Sequence, residues 1–408
     1  MTTIECDVVI IGGAVAGTAM ACHLRDSGLK VTVLEMATEI PEVNRGDLLA
    51  PCTVKRLGEL DAIQNFEKRG STRVEQWKAI GPEGETLLHV QIADTAPPPY
   101  NYCIALPHPQ LEEALIETAM ARGTIDFRRG MQVSTLIKDE DGMVVGVNAT
   151  GPDGPVEVRC RLLVAADGSR SLMRKQMGIN TNIETYPYTY VMLTCERSPD
   201  QPANQNTEVW GKDGFCGLYP VSAEKVRCPV QAEPGELARW RKIGVDQGID
   251  ELRGRYPFFE KMQPTDHDLH AYNILRHHAE SYVVDGAILV GDSAHSTPPY
   301  YGMGMTMAIR DTYHAANLVV PLLKAGTKLT KEVLAPYEER CRPFNQFVID
   351  SSTEYGRVAA ARHKTVGAVS DAIETSSALN PAVMGAIYAD YDAPFPPPGL
   401  DISKGGAA

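Results

Sequence analysis

Three stretches of this chain combine residue types and spacings that could do chemistry beside a bound ligand. The first, GGAVAG, sets Gly12, Ala14 and Gly17 in a G-x-A-x-x-G spacing, with Glu35 eighteen residues beyond Gly17. The second, LLVAADGSRSLMRKQMG from 162 to 178, runs into Asp167 and Gly168 and then into serines and arginines. The third, GDSAHSTPPYYGMGMT from 291 to 306, joins an aspartate to two prolines and two spaced glycines.

In the first stretch Gly12 permits a tight turn and Gly17 permits close packing of a helix on a strand. A helix starting there aims the free N–H groups around Ala14, Val15 and Ala16 at an anion such as a pyrophosphate. Glu35 can accept hydrogen bonds from an adenosine ribose, and its charge disfavours a 2′-phosphate. Ala14 replaces the usual middle glycine, and its methyl group presses on the phosphate approach. A glycine turn alone would suit any parallel α/β protein, whereas strand, spacing, helix and terminal acid together point to a dinucleotide. Arg45, in NRGD, is either a solvated arginine or a partner for a phosphate.

The second stretch has a plain reading as a turn, since Asp-Gly suits turns and Ser169 or Ser171 suits a helix cap. In the third, a strand delivers Asp292 to the edge of a sheet, where its carboxylate can accept from a polyol hydroxyl. Pro298 and Pro299 stiffen the loop that follows. Gly302 and Gly304 let the main chain approach a flat ring. A helix beginning near Met305 and Thr306 points its positive end at that ring, which suits the negative charge of a reduced flavin.

These stretches need elements to hold them. CDVVIIGG reads as a buried strand, AVAGTAMACHLRDSG as a helix stopped by Gly28, and KVTVLE as a second strand, a β-α-β unit. HPQLEEALIETAMARG, 108 to 123, is an amphipathic helix. MQVSTLIKDEDGMVVGVNAT and GPVEVRCRLLVAADG are strands with an Asp-Gly turn at 141–142. Residues 181 to 275 alternate as strands, with one charged segment, GELARWRKIG. GAILVGD is another buried strand and the remainder is mainly helical. Pro321 is expected to kink or end the helix after Thr306. The tail APFPPPGLDISKGGAA is expected to be loose.

Composition bounds the partners. The chain has 408 residues and a formal charge of −13 with no basic run, which argues against nucleic acid and anionic membranes. Nine cysteines without a Cys-x-x-Cys pair argue against a disulfide framework or a zinc site, and fit free thiols in the cytoplasm. The apolar stretch from Val8 to Leu24 follows acids, contains glycines and is shorter than the roughly 20 residues of a membrane span. No targeting or transmembrane segment is expected, and no metal.

In this order the three stretches resemble the class A flavoprotein monooxygenases, the family of para-hydroxybenzoate hydroxylase. The resemblance rests on GGAVAG with Glu35, AADGSRSLMRK, and GDSAHSTPPYYGMGMTMAIRD. It implies an α/β fold: a Rossmann-like FAD-binding domain, a β-sheet substrate domain and a helical C-terminal segment. The expected division is 1–72, 101–180 and 276–345 for FAD, 73–100 and 181–275 for substrate, and 346–408 for the C-terminal helices and tail.

The resemblance also implies roles. Glu35 would hold the ribose, Arg45 would approach the pyrophosphate, and Asp167 with Gly168 would support FAD and NAD(P)H. Asp292 would bind the ribityl–pyrophosphate region, and Pro299 would line the reacting face. His108 stands where an arginine or glutamine is usual, with Gln110 as the alternative placement. Met303 and Thr306 replace a common glutamine and asparagine.

The implied activity is hydroxylation of a small aromatic (a phenol, aromatic acid or nitrogen heteroaromatic), with NADH or NADPH and O2 as co-substrates. Oxygen would be activated at the flavin C4a carbon, in a site kept dry. Tyr219, Tyr300 and Tyr301, with His108, are the pocket candidates, Tyr300 the preferred one because it follows Pro299. His295 reads as a structural residue of its loop, and His277–His278 as surface. A homodimer is possible in such proteins. Two alternatives share the motifs: an FAD-dependent reductase of a prenyl or unsaturated substrate, and a non-catalytic FAD-binding protein. A flavin-dependent halogenase is excluded, because Trp77, Trp210 and Trp240 form no Trp-x-Trp-x-Ile-Pro motif.

Overall fold

The strand Val8–Ile11 is buried at all four positions, so it can sit only inside a sheet covered on both faces. In the computed structural model, which describes residues 2–42, 46–262, 264 and 269–397, that is where it lies. Leu162–Ala165 and Val31–Leu34 flank it in parallel, and Ala287–Leu289 and Ile125–Arg128 extend the sheet on either side, also in parallel. An antiparallel edge strand, Val283–Val284, completes six strands. The helix Val15–Leu24 packs between this sheet and the helices His108–Met120 and Gly304–Lys324. Gly17 makes the packing possible, since a Cβ there would stand 1.8 Å from the Gly12 carbonyl oxygen. The strands' C-terminal ends therefore gather Gly12, Glu35, Asp167 and Asp292 along one edge.

An eight-stranded sheet stands beside it, in the order His295–Ser296, His270–His278, Glu184–Glu196, Lys225–Ala232, Gly214–Pro220, Gln205–Gly211, Gln76–Ile80 and Thr86–Gln91. The strand starting at His270 carries it beyond the boundary expected at 275. Successive side chains alternate between its faces. Val191, Leu193, Cys195, Cys216, Leu218, Val226, Cys228 and Val230 form one buried core with Leu237, Trp240, Leu252 and Phe259. Tyr190, Met192, Phe215, Tyr219 and Arg227 face the other way.

The segment 181–275 holds more helix than its sequence suggests. GELARWRKIG supplies Glu236–Ile243, and Val245–Arg255 forms a second helix that two glycines and five charges had disguised. Trp240 and Leu252 are its reason, both buried in the core behind the sheet. Pro321 neither ends its helix at once nor stops the run to Lys324. The next helix, Lys331–Ala359, likewise contains Pro336 and Pro343. The tail also departs from expectation: Phe395 packs on Phe344 and Phe347, and the Ala393 carbonyl accepts from Arg340. Residues 398–408 lie outside the described residues.

All nine cysteines are free thiols. No helix among the described residues is long and apolar enough to cross a membrane.

Trp240 is fully buried and fills the space between these two helices and the sheet. Trp240→Ala is expected to lower unfolding stability by about 3–5 kcal/mol, read as a fall in the denaturant midpoint.

Candidate functional site

A cavity of about 450 Å³ opens between the two sheets. It receives the start of two helices whose first-turn N–H groups have no intrahelical partner. At the first, Ala14 supplies no side-chain cap, and Ala14, Val15 and Ala16 line the cavity. At the second, Met303 supplies none either, and Gly302, Gly304 and Met305 line it. Two positive helix poles thus face one space, an arrangement that receives anions.

Glu35 and Asp167 serve this space from behind rather than lining it. Glu35 accepts the Gly13 N–H at 2.6 Å and the Ala37 N–H at 2.7 Å. The glycine turn is thereby tied to the end of the next strand. Asp167 accepts the Ser171 hydroxyl at 2.5 Å and the Met173 N–H at 3.0 Å, capping the short helix Leu172–Gln176, while Gly168 and Ser169 line the cavity. Thr306 is turned away. Its hydroxyl is fully buried, accepts from the Ala50 N–H and lies 3.2 Å from the Thr53 hydroxyl. Arg45 lies outside the described residues.

The loop from 291 to 302 is held from three sides. Asp311, fully buried, accepts the Gly291 N–H at 3.0 Å and the Asn345 amide at 2.9 Å, and pairs with His295 at 2.6 Å. Arg174 joins the second stretch to the third, donating to the Ser293 carbonyl at 2.7 Å and the Ser169 carbonyl at 2.8 Å. His277 is buried, not surface as the sequence suggested: its Nε2 donates to the Asp292 carbonyl and its Nδ1 lies 3.1 Å from the Thr181 hydroxyl. Burial, then the charges of Arg174 and His295, lowers its pKa to about 3 and keeps it neutral. His278 bonds Gln346 and Tyr282. Held this way, the loop presents Asp292, Pro299 and Tyr300 to the cavity.

Tyr300 lies edge-on to Tyr190 and Phe215, and its hydroxyl meets that of Tyr188 at 2.5 Å. The ring is seated on the helix Lys331–Ala359 at Gly356, where a Cβ would stand 2.1 Å from it. Tyr301 does not reach the cavity, because its hydroxyl bonds the Ala378 carbonyl. His108 lines the cavity and the exposed Gln110 does not. Both His108 ring nitrogens are engaged, with the Gly46 carbonyl at 2.9 Å and Glu112 at 3.0 Å. Burial lowers its pKa, but the Glu112 hydrogen bond and charge outweigh burial and hold it above the ordinary value.

The sheet brings the candidate Tyr219 to the cavity, together with residues that sequence reasoning missed: Trp77, Asn206, Phe215, Arg227 and Asn273 line the same space. Arg227 is buried and paired with Asp47 at 3.0 Å. Behind Tyr219 lies Glu208, fully buried. It accepts from Tyr219 and Trp210, each at 2.9 Å, and from Tyr355 at 2.6 Å. No arginine, lysine or histidine among the described residues forms an ion pair with it. Burial raises its pKa to about 7 against the pull of these donors and of the neighbouring Trp77 indole. The period-two face Asn206, Glu208, Trp210 was the available signal.

The model for the FAD binding domain family matches residues 5–352. A rifampicin monooxygenase from Streptomyces venezuelae is 29% identical over 318 residues, covering 76% of this chain and 62% of that protein. The chain therefore spans less than two thirds of that relative's length. A ubiquinone hydroxylase from Rhodospirillum rubrum is 27% identical over 404 residues, covering 89% of this chain and 86% of that protein. Among solved structures, the p-nitrophenol 4-monooxygenase of Pseudomonas putida superposes with a TM-score of 0.78 at 20% identity, covering 95% of this chain and 97% of that one.

Glu208 binds its proton more tightly folded than unfolded, so this group's contribution to stability falls as pH rises from about 4.5 to about 7. Relative to Glu208→Gln, the wild type is expected to lose roughly 3 kcal/mol between pH 4 and pH 8. Denaturant titrations of both proteins across that range measure the difference.

Proposed function

The chain belongs to the FAD binding domain family, and on that footing we propose that it is an FAD-dependent monooxygenase that hydroxylates a small aromatic compound with NADH or NADPH and O2. The observation that carries this reading is the single cavity shared by two uncapped helix starts and an aromatic sheet face.

The residues present fit FAD. Its pyrophosphate calls for N–H donors on bare backbone, which Ala14, Val15 and Ala16 offer beside the Gly12–Gly17 turn. Glu35 keeps lone pairs for the ribose, and Asp292 reaches the same cavity for the ribityl hydroxyls. Gly302, Gly304 and Met305 would hold the pyrimidine end of the flavin. When bound, FAD supplies the acceptor for hydride from NAD(P)H and the carbon that activates dioxygen.

The protein's own part is to bind, orient and dry the aromatic. Trp77, Tyr190, Phe215, Tyr219 and Tyr300 supply flat apolar walls. Pro299 and Tyr300 border the space where the two halves meet, and His108 with Glu112 closes it near Gly46. Water excluded by these walls would otherwise divert the activated oxygen to hydrogen peroxide. Relatives are named for the larger compounds rifampicin and ubiquinone.

The test combines spectrum and turnover. Purified protein reconstituted with FAD is expected to show flavin bands, and Gly17→Ala to lose them, because the new Cβ would displace the Gly12 carbonyl. A panel of phenols and heteroaromatics is expected to contain members that stimulate coenzyme oxidation with oxygen uptake. Flavin retained by Gly17→Ala at wild-type level would contradict the assigned cofactor site. Bound flavin with no stimulation by any aromatic would contradict the hydroxylase reading.

A further inference from the structure

Thr306 lies in the first turn of the helix Gly304–Lys324, yet its hydroxyl is turned back into the protein. There it accepts from the Ala50 N–H at 3.3 Å and from the Thr53 hydroxyl at 3.2 Å. Ala50 precedes a second helix, Pro51–Glu59, and Thr53 lies in its first turn. That helix follows the cavity-lining residues Gly46, Asp47 and Leu48. One hydroxyl thus ties together the starts of two helices. Behind it stands Tyr391, from the C-terminal segment, whose hydroxyl meets that of Thr53 at 2.6 Å and lies 3.4 Å from the Thr306 carbonyl oxygen. Because the Thr53 hydrogen goes to Thr306, the Tyr391 hydrogen goes to Thr53. Thr53, Thr306 and Tyr391 have no exposed surface.

We propose that Tyr391 is a positioning residue for the flavin: through Thr53 and Thr306 the C-terminal segment sets the start of the helix Gly304–Lys324, and with it the affinity and reduction potential of bound FAD. This rests on the FAD site assigned above. The positive pole of a helix is carried by the free N–H groups of its first turn, and its influence falls off within that turn. What a flavin gains from the pole therefore depends on where the first turn stands. Reduced flavin, which carries negative charge, gains more than neutral oxidised flavin. Loosening the first turn weakens the reduced form most. Tyr391 does not line the cavity and acts through the two threonines.

The surroundings of Tyr391 fix it in place. Arg340 donates to its carbonyl at 2.9 Å and to the Ala393 carbonyl at 2.8 Å. Arg56 and Arg310 lie over its ring, their guanidinium carbons 5.4 and 5.3 Å from the ring centre. The flanking acids bind the helix Pro51–Glu59: Asp390 pairs with Lys55 and Arg56, and Asp392 pairs with Arg56 at 2.8 Å. Arg56 and Arg310 belong to the same two helices that Thr306 joins. The segment therefore grips both helices along their length, and the Tyr391 hydroxyl carries that grip to their first turns.

The test uses the FAD-loaded enzyme without substrate. Its two-electron reduction potential is read by equilibration against a reference dye, and FAD affinity by flavin fluorescence. Tyr391→Phe keeps the ring and its arginine contacts. It is expected to shift the reduction equilibrium about three- to tenfold toward oxidised flavin, a fall of roughly 15–30 mV, and to weaken FAD binding. Thr306→Val removes the hydroxyl at nearly the same volume and is expected to do the same, whereas Thr306→Ser keeps the hydroxyl and is expected to hold the wild-type potential. Combining Tyr391→Phe with Thr306→Val should lower the potential no further than the larger single effect, since both break one chain. A side chain that only stabilises the fold would lower the unfolding midpoint and leave the potential in place. Where Tyr391→Phe fails to fold, the two Thr306 variants read the same contact. Wild-type potential and affinity in Tyr391→Phe, or in Thr306→Val, with FAD bound, would overturn the positioning role and leave the FAD site standing. A wild-type protein that takes up no FAD would overturn both.

Discussion

The hydrogen bonds to Asp311 are the constraint on which the rest of the site depends. A carboxylate with no exposed surface persists only if its oxygens are satisfied. Asp311 meets that condition with a backbone N–H, a histidine and an asparagine drawn from the loop and the long helix. The loop is thereby fixed at its first residues, before the two prolines that stiffen its middle. Arg174 and His277 fasten the same turn from the second stretch and from the large sheet. Asp292, Pro299 and Tyr300 reach the cavity because their backbone has few other places to go.

The large sheet follows a second constraint, the alternation of side chains. One face must bury Trp240, Leu252 and their neighbours, which fixes the register of every strand. The opposite residues then face the cavity whatever their polarity. Glu208 is the expensive member of that face, since a buried charge without a cation costs stability. Three hydrogen bonds offset part of the cost, and a raised proton affinity is what remains.

Much of the cofactor side was legible in the sequence, because its signals are local. Gly12, Gly17 and Glu35 sit in one β-α-β unit, and Asp292, Pro299 and Gly302 in one loop. Family membership follows from the same stretches. The substrate side was harder, since its residues come from separate strands and meet only through register. Tyr219 could be named, but Glu208 reads locally as a strand's exposed acid. Its burial depends in part on Tyr355, 147 residues away, which donates to it from the long helix. His277 reads as surface for the same reason: Asp292 and Thr181 cover it from distant segments. Thr306 failed differently. Its place at the helix start was legible, but its commitment to Ala50 and Thr53 was not.

Oxygen insertion into an aromatic ring is what separates a hydroxylase from a protein that merely binds flavin. The most direct measurement is turnover of the FAD-loaded enzyme under isotopically labelled dioxygen with a stimulating phenol, followed by mass spectrometry of the aromatic product. One labelled oxygen atom is expected in each hydroxylated product molecule. Coenzyme oxidation that yields only labelled hydrogen peroxide with every aromatic tried, the ring left unchanged, would contradict it.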